Sequence, residues 1–242
     1  MNKAMGYKMT HDTGFAPNPF HGALTLATCK PAVRRTRGKG DWVAGFASKA
    51  LVQNAREYGV SIPYDGLVYL MQVTEEPLEL SAYFNDPRFL KKRPILGARD
   101  PEIRSGDNIY WRDADGLYQQ LPNNSHEQEA KIHDTSGKNA LVSTRFWYLG
   151  RNCFIPPGGW KVLMGQELSI GRTFYCPDRF VEGMLNHLQE MDMKPGIHGR
   201  PCMWDETAKR KCGDRLQEQG EPGAKLFASK RRAQRKCQIG LT

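Results

Sequence analysis

Alternating apolar and polar positions predict several short strands along the chain. Residues 23–29 alternate apolar and small polar side chains, and residues 42–46 and 66–74 are rich in strand-forming types. Residues 108–112 and 140–150 show the same preference. Strands of this length and spacing indicate that a β-sheet forms the centre of the protein.

Helical periodicity is rarer. Residues 178–191 form the clearest amphipathic segment, and residues 78–84 predict a short helix. Residues 48–58 fit either a short helix or a mobile insertion, whereas residues 13–20 carry two prolines and predict a loop after a short strand.

Strands without a regular βαβ alternation favour an α+β fold over a doubly wound sheet. We expect one mixed, strongly curved sheet or barrel with peripheral helices. Its strands are expected near residues 23–29, 42–46, 66–74 and 141–148, with the helix at 178–191 packed outside.

The distribution of charge divides the chain into two parts. Of its 242 residues, 39% are apolar and 25% are charged, as in a packed globular protein. The net charge is +9, but residues 207–242 contain ten lysines and arginines against three acids, which leaves +2 for residues 1–206. We therefore predict a domain at 1–206 and a basic tail at 207–242. The tail residues expected to bind a phosphate backbone are Lys230, Arg231, Arg232, Arg235 and Lys236.

Several classes of protein are disfavoured. No apolar run reaches the roughly 18 residues of a membrane span, and the start has no apolar signal region. The six cysteines are scattered without CxxC or close Cys/His pairs, which predicts reduced thiols in a cytoplasm and no metal site. P-loop and serine-hydrolase motifs are lacking, and nothing identifies a cofactor.

Polar residues in turns supply the candidate chemistry. Asp12 can transfer a proton, Asn18 can bond a base edge, and Lys30 can hold a phosphate or an oxyanion, so these three are the predicted catalytic residues. The predicted substrate-binding residues are His11, Phe15, Phe20, Arg34, Asp41, Trp42, Asp86 and Arg88. We expect the loop at 12–20, Lys30 and the turn at 40–42 to converge on one pocket, with residues 86–88 as a further wall.

Structural roles remain open for each of these residues. Asp12 and Asn18 can cap turns while the phenylalanines fill the core, and Arg34 can lie on a solvated basic face. Cys29 can be a nucleophile with His11 as its base, or a small buried apolar residue. Asp86 and Arg88 can belong to an ion-pair network that holds a loop.

Taken together, these segments resemble the second type of nucleotide-modification-associated domain, a family of phages and bacteria linked to DNA base modification. The resemblance covers residues 7 to about 204. The motifs that carry it are HDTGFAPNPF (11–20), TCKP (28–31) with RR (34–35), GDWV (40–43), LVYLMQVTE (67–75), YFNDPRF (83–89) with KRP (92–94), GDNIY (106–110), LVS (141–143) with FWYLG (146–150), and GIHGRP (196–201). The resemblance implies a cytoplasmic protein of a bacterial or phage-infected cell.

A weaker similarity links GDWVAGFASK (40–49) and the later LVYLMQVTE to PUA-like barrels such as EVE, ASCH and YTH domains, which often bind a modified base among aromatic residues. Three functions stay open: an enzyme that modifies a nucleotide or DNA base, a non-catalytic reader that encloses a base between Trp42 and Phe46, and a DNA-binding accessory protein. The expected partners are a nucleotide or DNA and other base-modification enzymes.

Overall fold

A computed structural model describes residues 3–168 and 173–204 of the chain. The predicted phosphate-binding cluster of the tail, from Lys230 to Lys236, lies outside these residues, as does the whole of the segment 207–242 that the sequence set apart.

A six-stranded mixed sheet forms the centre of the fold. Its strands, in spatial order, are β10 (Thr173–Cys176), β1 (Ala4–Met9), β3 (Trp42–Ala47), β4 (Leu67–Gln72), β9 (Arg145–Tyr148) and β11 (Gly196–Ile197). β1 runs parallel to β3 and β9 runs parallel to β11, while the other neighbours are antiparallel.

Two smaller sheets complete the β structure. One has the order β2 (Leu24–Leu26), β8 (Asn139–Ser143) and β5 (Leu78–Glu79), and the other pairs β6 (Tyr110–Arg112) with β7 (Tyr118–Gln120). The α-helices are α1 (Pro31–Thr36), α2 (Lys49–Glu57), α3 (Leu80–Asn85), α4 (Pro101–Arg104), α5 (Ala130–Thr135), α6 (Trp160–Met164) and α7 (Asp178–Glu190), with short 3-10 helices at Pro87–Lys92 and Gly150–Asn152.

The two faces of the central sheet bury different cores, because successive side chains of a strand point to opposite faces. In β3, Val43 and Ala47 join the core that includes Tyr7 and helix α2. Trp42 and Phe46 point the other way, into a core covered by α6 and α7.

The structure confirms the mixed α+β class, and α7 packs against the central sheet through Phe180, Met184 and Leu188 as expected. Residues 48–58 are a helix rather than a mobile insertion. The strands of residues 3–168 and 173–204 do not close into a barrel. Within those ranges no helix is both long and apolar enough to cross a membrane.

The expectation of one sheet through residues 23–29 and 141–148 was wrong. The segment 140–150 divides at Thr144: β8 pairs with β2 in the small sheet, whereas β9 belongs to the central one. The cause is local, because the Ser143 hydroxyl donates to the Arg145 carbonyl (2.8 Å) and accepts from the Arg145 amide (3.2 Å). These bonds replace the strand ladder and turn the chain.

Candidate functional site

A cavity of about 710 Å³ opens beside the end of β1 and the start of α1. Its apolar wall is formed by Tyr7, Met9, Phe15 and Val33. Its polar wall is formed by residues 124–134, which lie far from the first wall in the sequence. A cavity with apolar walls and a few converging polar groups is the usual form of a small-molecule site.

An unusual backbone turn presents Cys29 and Lys30 to this cavity. Both residues have positive φ angles, 54° and 41°, although neither is glycine. Such conformations cost of order 1–3 kcal/mol each and cluster at functional sites. Pro31 then starts α1, where its fixed φ suits the first helical turn.

Cys29 lies at the end of a hydrogen-bonded series of three side chains. Its Sγ is 3.3 Å from Nε2 of His126, and Nδ1 of the same ring is 2.6 Å from Oδ2 of Asp134. A carboxylate only accepts, so Nδ1 carries a proton and Nε2 faces the sulfur. This is the geometry of a nucleophile, a base and a carboxylate that orients the base.

The carboxylate is held at both oxygens. Oδ1 of Asp134 accepts from the Cys29 amide (2.8 Å), and Oδ2 also accepts from the hydroxyl of Tyr110 (2.9 Å). Burial raises the pKa of Asp134, but its hydrogen bond with His126 and the other donors outweigh this, and the pKa is lowered. Burial likewise lowers the pKa of His126, yet its bonds to Asp134 and Cys29 raise it to about 10.

A buried guanidinium ties the nucleophile turn to this carboxylate. Arg34, 0% exposed, donates through Nε to the Cys29 carbonyl (2.7 Å), through one terminal nitrogen to the Asn139 carbonyl (2.9 Å) and through the other to the Asp134 carbonyl. Gly137 leaves the space it needs, because a Cβ there would lie 2.4 Å from the guanidinium carbon. Arg34 therefore fixes the spacing between Cys29 and Asp134.

The same three residues have a second capability. Cys29, His126 and Asp134 each offer an atom that binds transition metals, and these atoms lie within 4.8 Å of one another. However, Asp134 already accepts three hydrogen bonds, one of them from His126 itself, so a metal would have to break that bond before the carboxylate could ligate.

The cavity takes in part of the residue set predicted from the sequence. His11, Phe15 and Lys30 line it, and the Phe15 ring packs edge-on against His126 at 5.0 Å. Cys29 also lines it, and the histidine beside its sulfur is His126 and not the expected His11. His11 instead contacts the hydroxyl of Thr10 at 3.1 Å.

Asp12 and Asn18 lie in the interior rather than on the rim. Asp12 accepts hydrogen bonds from the Tyr148 hydroxyl and from the Cys202 amide (2.9 Å), which anchors residues near 202 to the first loop. Burial raises the pKa of Asp12. Asn18 is 0% exposed and accepts from Nζ of the buried Lys92 at 2.7 Å.

The remaining predicted contacts point away from the cavity. Phe20 stacks on Trp204 at 5.3 Å. Asp41 accepts from the Gly38 amide within its own turn and from the amide of Lys3, which precedes β1. Trp42 is 5% exposed on the opposite face of the central sheet, where Phe46 also lies. The two aromatics that a reader would use to enclose a base are core residues.

Asp86 and Arg88 form a surface network of the kind that holds a loop. One terminal nitrogen of Arg88 lies 2.7 Å from Oδ2 of Asp86, and the other lies 3.0 Å from Oε1 of Glu75. The side chain of Arg88 is half exposed. Arg34, a predicted substrate-binding residue, donates instead to the three backbone carbonyls described above.

Sequence reasoning missed His126, Asp134 and Tyr110. His126 follows Cys29 by 97 positions in a polar loop, and no short motif joins them. The one usable signal was a histidine eight residues before an aspartate in a segment with no strand pattern, and that spacing does not identify a partner.

Comparison with known families yields a match. A family model described as nucleotide modification associated domain 2 matches residues 1–213. Neither curated proteins nor solved structures give a match to the chain.

Proposed function

Because the chain belongs to the nucleotide modification associated domain 2 family, we propose that it is an enzyme that modifies a nucleotide or nucleobase through a covalent bond to Cys29. The observation that carries the proposal is the series Cys29, His126 and Asp134 at the wall of a ligand-sized cavity.

The proposed step is the addition of a thiol to an electron-poor ring carbon of the base. The proton of the thiol resides on His126, whose raised pKa favours the imidazolium, and the sulfur donates an electron pair to form an S–C bond. The π pair of the attacked double bond moves to the adjacent ring atom, which bonds an electrophilic group from a donor co-substrate as the leaving group of the donor departs with its electron pair. That ring atom then loses its proton to solvent, and the S–C electron pair returns to the sulfur, which releases the modified base. Asp134 holds the ring of His126 and stabilises its positive charge.

Two features favour catalysis over simple reading of a base. A reader needs complementary walls but no nucleophile with an oriented base beside it. The positive φ angles of Cys29 and Lys30 also carry a conformational cost, which a turn that only supports a binding wall would not require. Phe15 is the aromatic residue that a reader would retain here, since Trp42 and Phe46 are in the core.

The hydrogen bonds favour a thiol nucleophile over a metal centre. In a metal site with all three ligands, His126 and Asp134 would both direct lone pairs at the ion. Here Asp134 accepts the proton of His126 Nδ1, and only Nε2 and the sulfur of Cys29 face each other. Two ligands are fewer than a tightly held zinc ion takes from a protein.

The test is mass spectrometry of nucleosides and nucleotides from cells that express the full chain. We expect a modified species with the wild type and none with Cys29→Ser. Cys176→Ala is the matched control, because Cys176 is a buried thiol in the core on the other face of the central sheet. His126→Gln should reduce turnover at least about 100-fold, in the range for loss of a general base.

Retention of the modified species by Cys29→Ser would exclude covalent catalysis by this thiol. Binding of a base with no modified species in any variant would support the reader instead.

A further inference from the structure

The basic side chains of the cavity favour an anionic ligand. Lys30, His11 and His133 line it, and Asp134 is the one acidic residue among the described lining residues. The charge of Asp134 is compensated by three hydrogen-bond donors, including His126. An ammonium group at the wall of a cleft contributes a positive local potential, which attracts anions.

Lys30 has a defined position in this arrangement. Its Nζ lies 4.5 Å from the centre of the Tyr7 ring and 3.3 Å from the Lys8 carbonyl oxygen. Tyr7 is itself fixed, because it is 1% exposed and its hydroxyl accepts from Tyr69 at 2.8 Å. The ammonium is thus held against a rigid ring at the cavity wall instead of extending freely into solvent.

The nucleophile and this ammonium come from adjacent residues. Cα atoms of neighbouring residues are about 3.8 Å apart, and the four-carbon stem of lysine extends well beyond a cysteine sulfur. A ligand that places one end beside Sγ of Cys29 can therefore place a second, anionic end beside Nζ of Lys30. The apolar wall formed by Phe15 and Val33 suits a flat ring between the two.

We infer that the substrate enters this cavity with its phosphate attached, as a nucleoside 5′-phosphate group whose phosphate contacts Lys30. The inference rests on the proposed function, because the family identifies the anion as part of a nucleotide. The same chemistry is present in a free mononucleotide and in a nucleotide of a single strand, so the experiment separates these sources.

The experiment measures binding by calorimetry to full-length Cys29→Ser, in which the covalent step is blocked. The probes are the four deoxynucleoside 5′-monophosphates, the four matching deoxynucleosides and 12-nucleotide single strands. We expect at least one phosphate-bearing probe to bind at least ten times more tightly than its nucleoside. A monophosphate that binds best indicates a free nucleotide, and a strand that binds best indicates DNA; both results support the phosphate contact.

Lys30 variants then test the contact itself. Lys30→Gln should remove the preference for phosphate and leave nucleoside binding unchanged, whereas Lys30→Arg should retain it. Lys39→Gln is the matched control, because Lys39 is an exposed lysine in the turn before β3. Thermal unfolding of each variant checks that the fold is intact, and Lys30→Arg decides the question where Lys30→Gln unfolds.

Equal affinity for nucleosides and nucleotides, a phosphate preference unaffected by Lys30→Gln, or no binding by any probe would overturn the inference. These outcomes are distinct from failure of the proposed function, which is decided by whether Cys29→Ser still produces the modified species. A thiol-dependent reaction without a phosphate preference would leave the proposed function intact and reject only the contact to Lys30.

Discussion

Replacing Arg34 by methionine removes the buried guanidinium that links the nucleophile turn to the carboxylate. Three backbone carbonyls, of Cys29, Asp134 and Asn139, lose their donor. Each buried polar group left unsatisfied costs about 1–3 kcal/mol. The substitution also removes a buried charge, whose burial is itself unfavourable, and this gain offsets part of the cost of the three carbonyls. We expect a net loss of about 3–5 kcal/mol, a large fraction of the total of about 5–15 kcal/mol that folded domains have.

The neighbouring arginine is the control. Arg35 is exposed and donates to the Ser136 carbonyl at 2.9 Å, so Arg35→Met should change the free energy of unfolding by less than about 0.5 kcal/mol. Urea unfolding followed by circular dichroism and tryptophan fluorescence measures both variants. A loss below about 1 kcal/mol for Arg34→Met, at an unchanged dependence on urea, would show that the carbonyls find other donors and that Arg34 does not fix this turn.

Three further predictions follow from burial and charge. Asp12→Ala should cost about 2–4 kcal/mol in chemical unfolding, because it leaves two buried donors unpaired; a cost below 1 kcal/mol would place Asp12 on the surface. Phe46→Ala should cost about 3–5 kcal/mol by the same measurement and leave the binding of nucleotides unchanged, since its side chain lies on the far face of the sheet; weaker binding would contradict this placement. His126 has a pKa raised to about 10, so its proton stabilises the folded state fully below pH 6.5, and this contribution is lost as pH rises towards 10; the decline should be absent in His126→Gln, measured as unfolding free energy against pH.

Local pattern was sufficient for most of the secondary structure. The period of the apolar residues in α7 and the strand-forming types in β3 and β4 agree with the tertiary packing, so these elements lie where the pattern placed them. The division of residues 140–150 was not predictable from period, because it depends on one serine hydroxyl that bonds the backbone two residues later. Apolar periodicity does not report a side-chain bond of this kind, so it cannot show where one strand ends and the next begins.

The candidate site could be predicted from the sequence less completely than the secondary structure. Residue type singled out Lys30 and Cys29, which line the cavity, but it also singled out Asp12 and Asn18, which are buried in the interior. A polar side chain in a turn has the same sequence signature whether it faces a cavity or bonds a buried backbone group. Exposure separates the two cases, and exposure is a property of the folded chain.

The pairing of Cys29 with His126 explains why the nearest histidine was the wrong expectation. His11 is 18 positions from Cys29 and His126 is 97, yet Arg34 and Asp134 bind the two loops together across that separation. Asp134 also has a structural role, because its carboxylate accepts from the Cys29 amide and the Tyr110 hydroxyl as well as orienting His126. The chemistry and the local fold therefore depend on the same bonds. A substitution of Asp134 should accordingly lower stability and thiol reactivity together, whereas a substitution of Cys29 should affect reactivity alone.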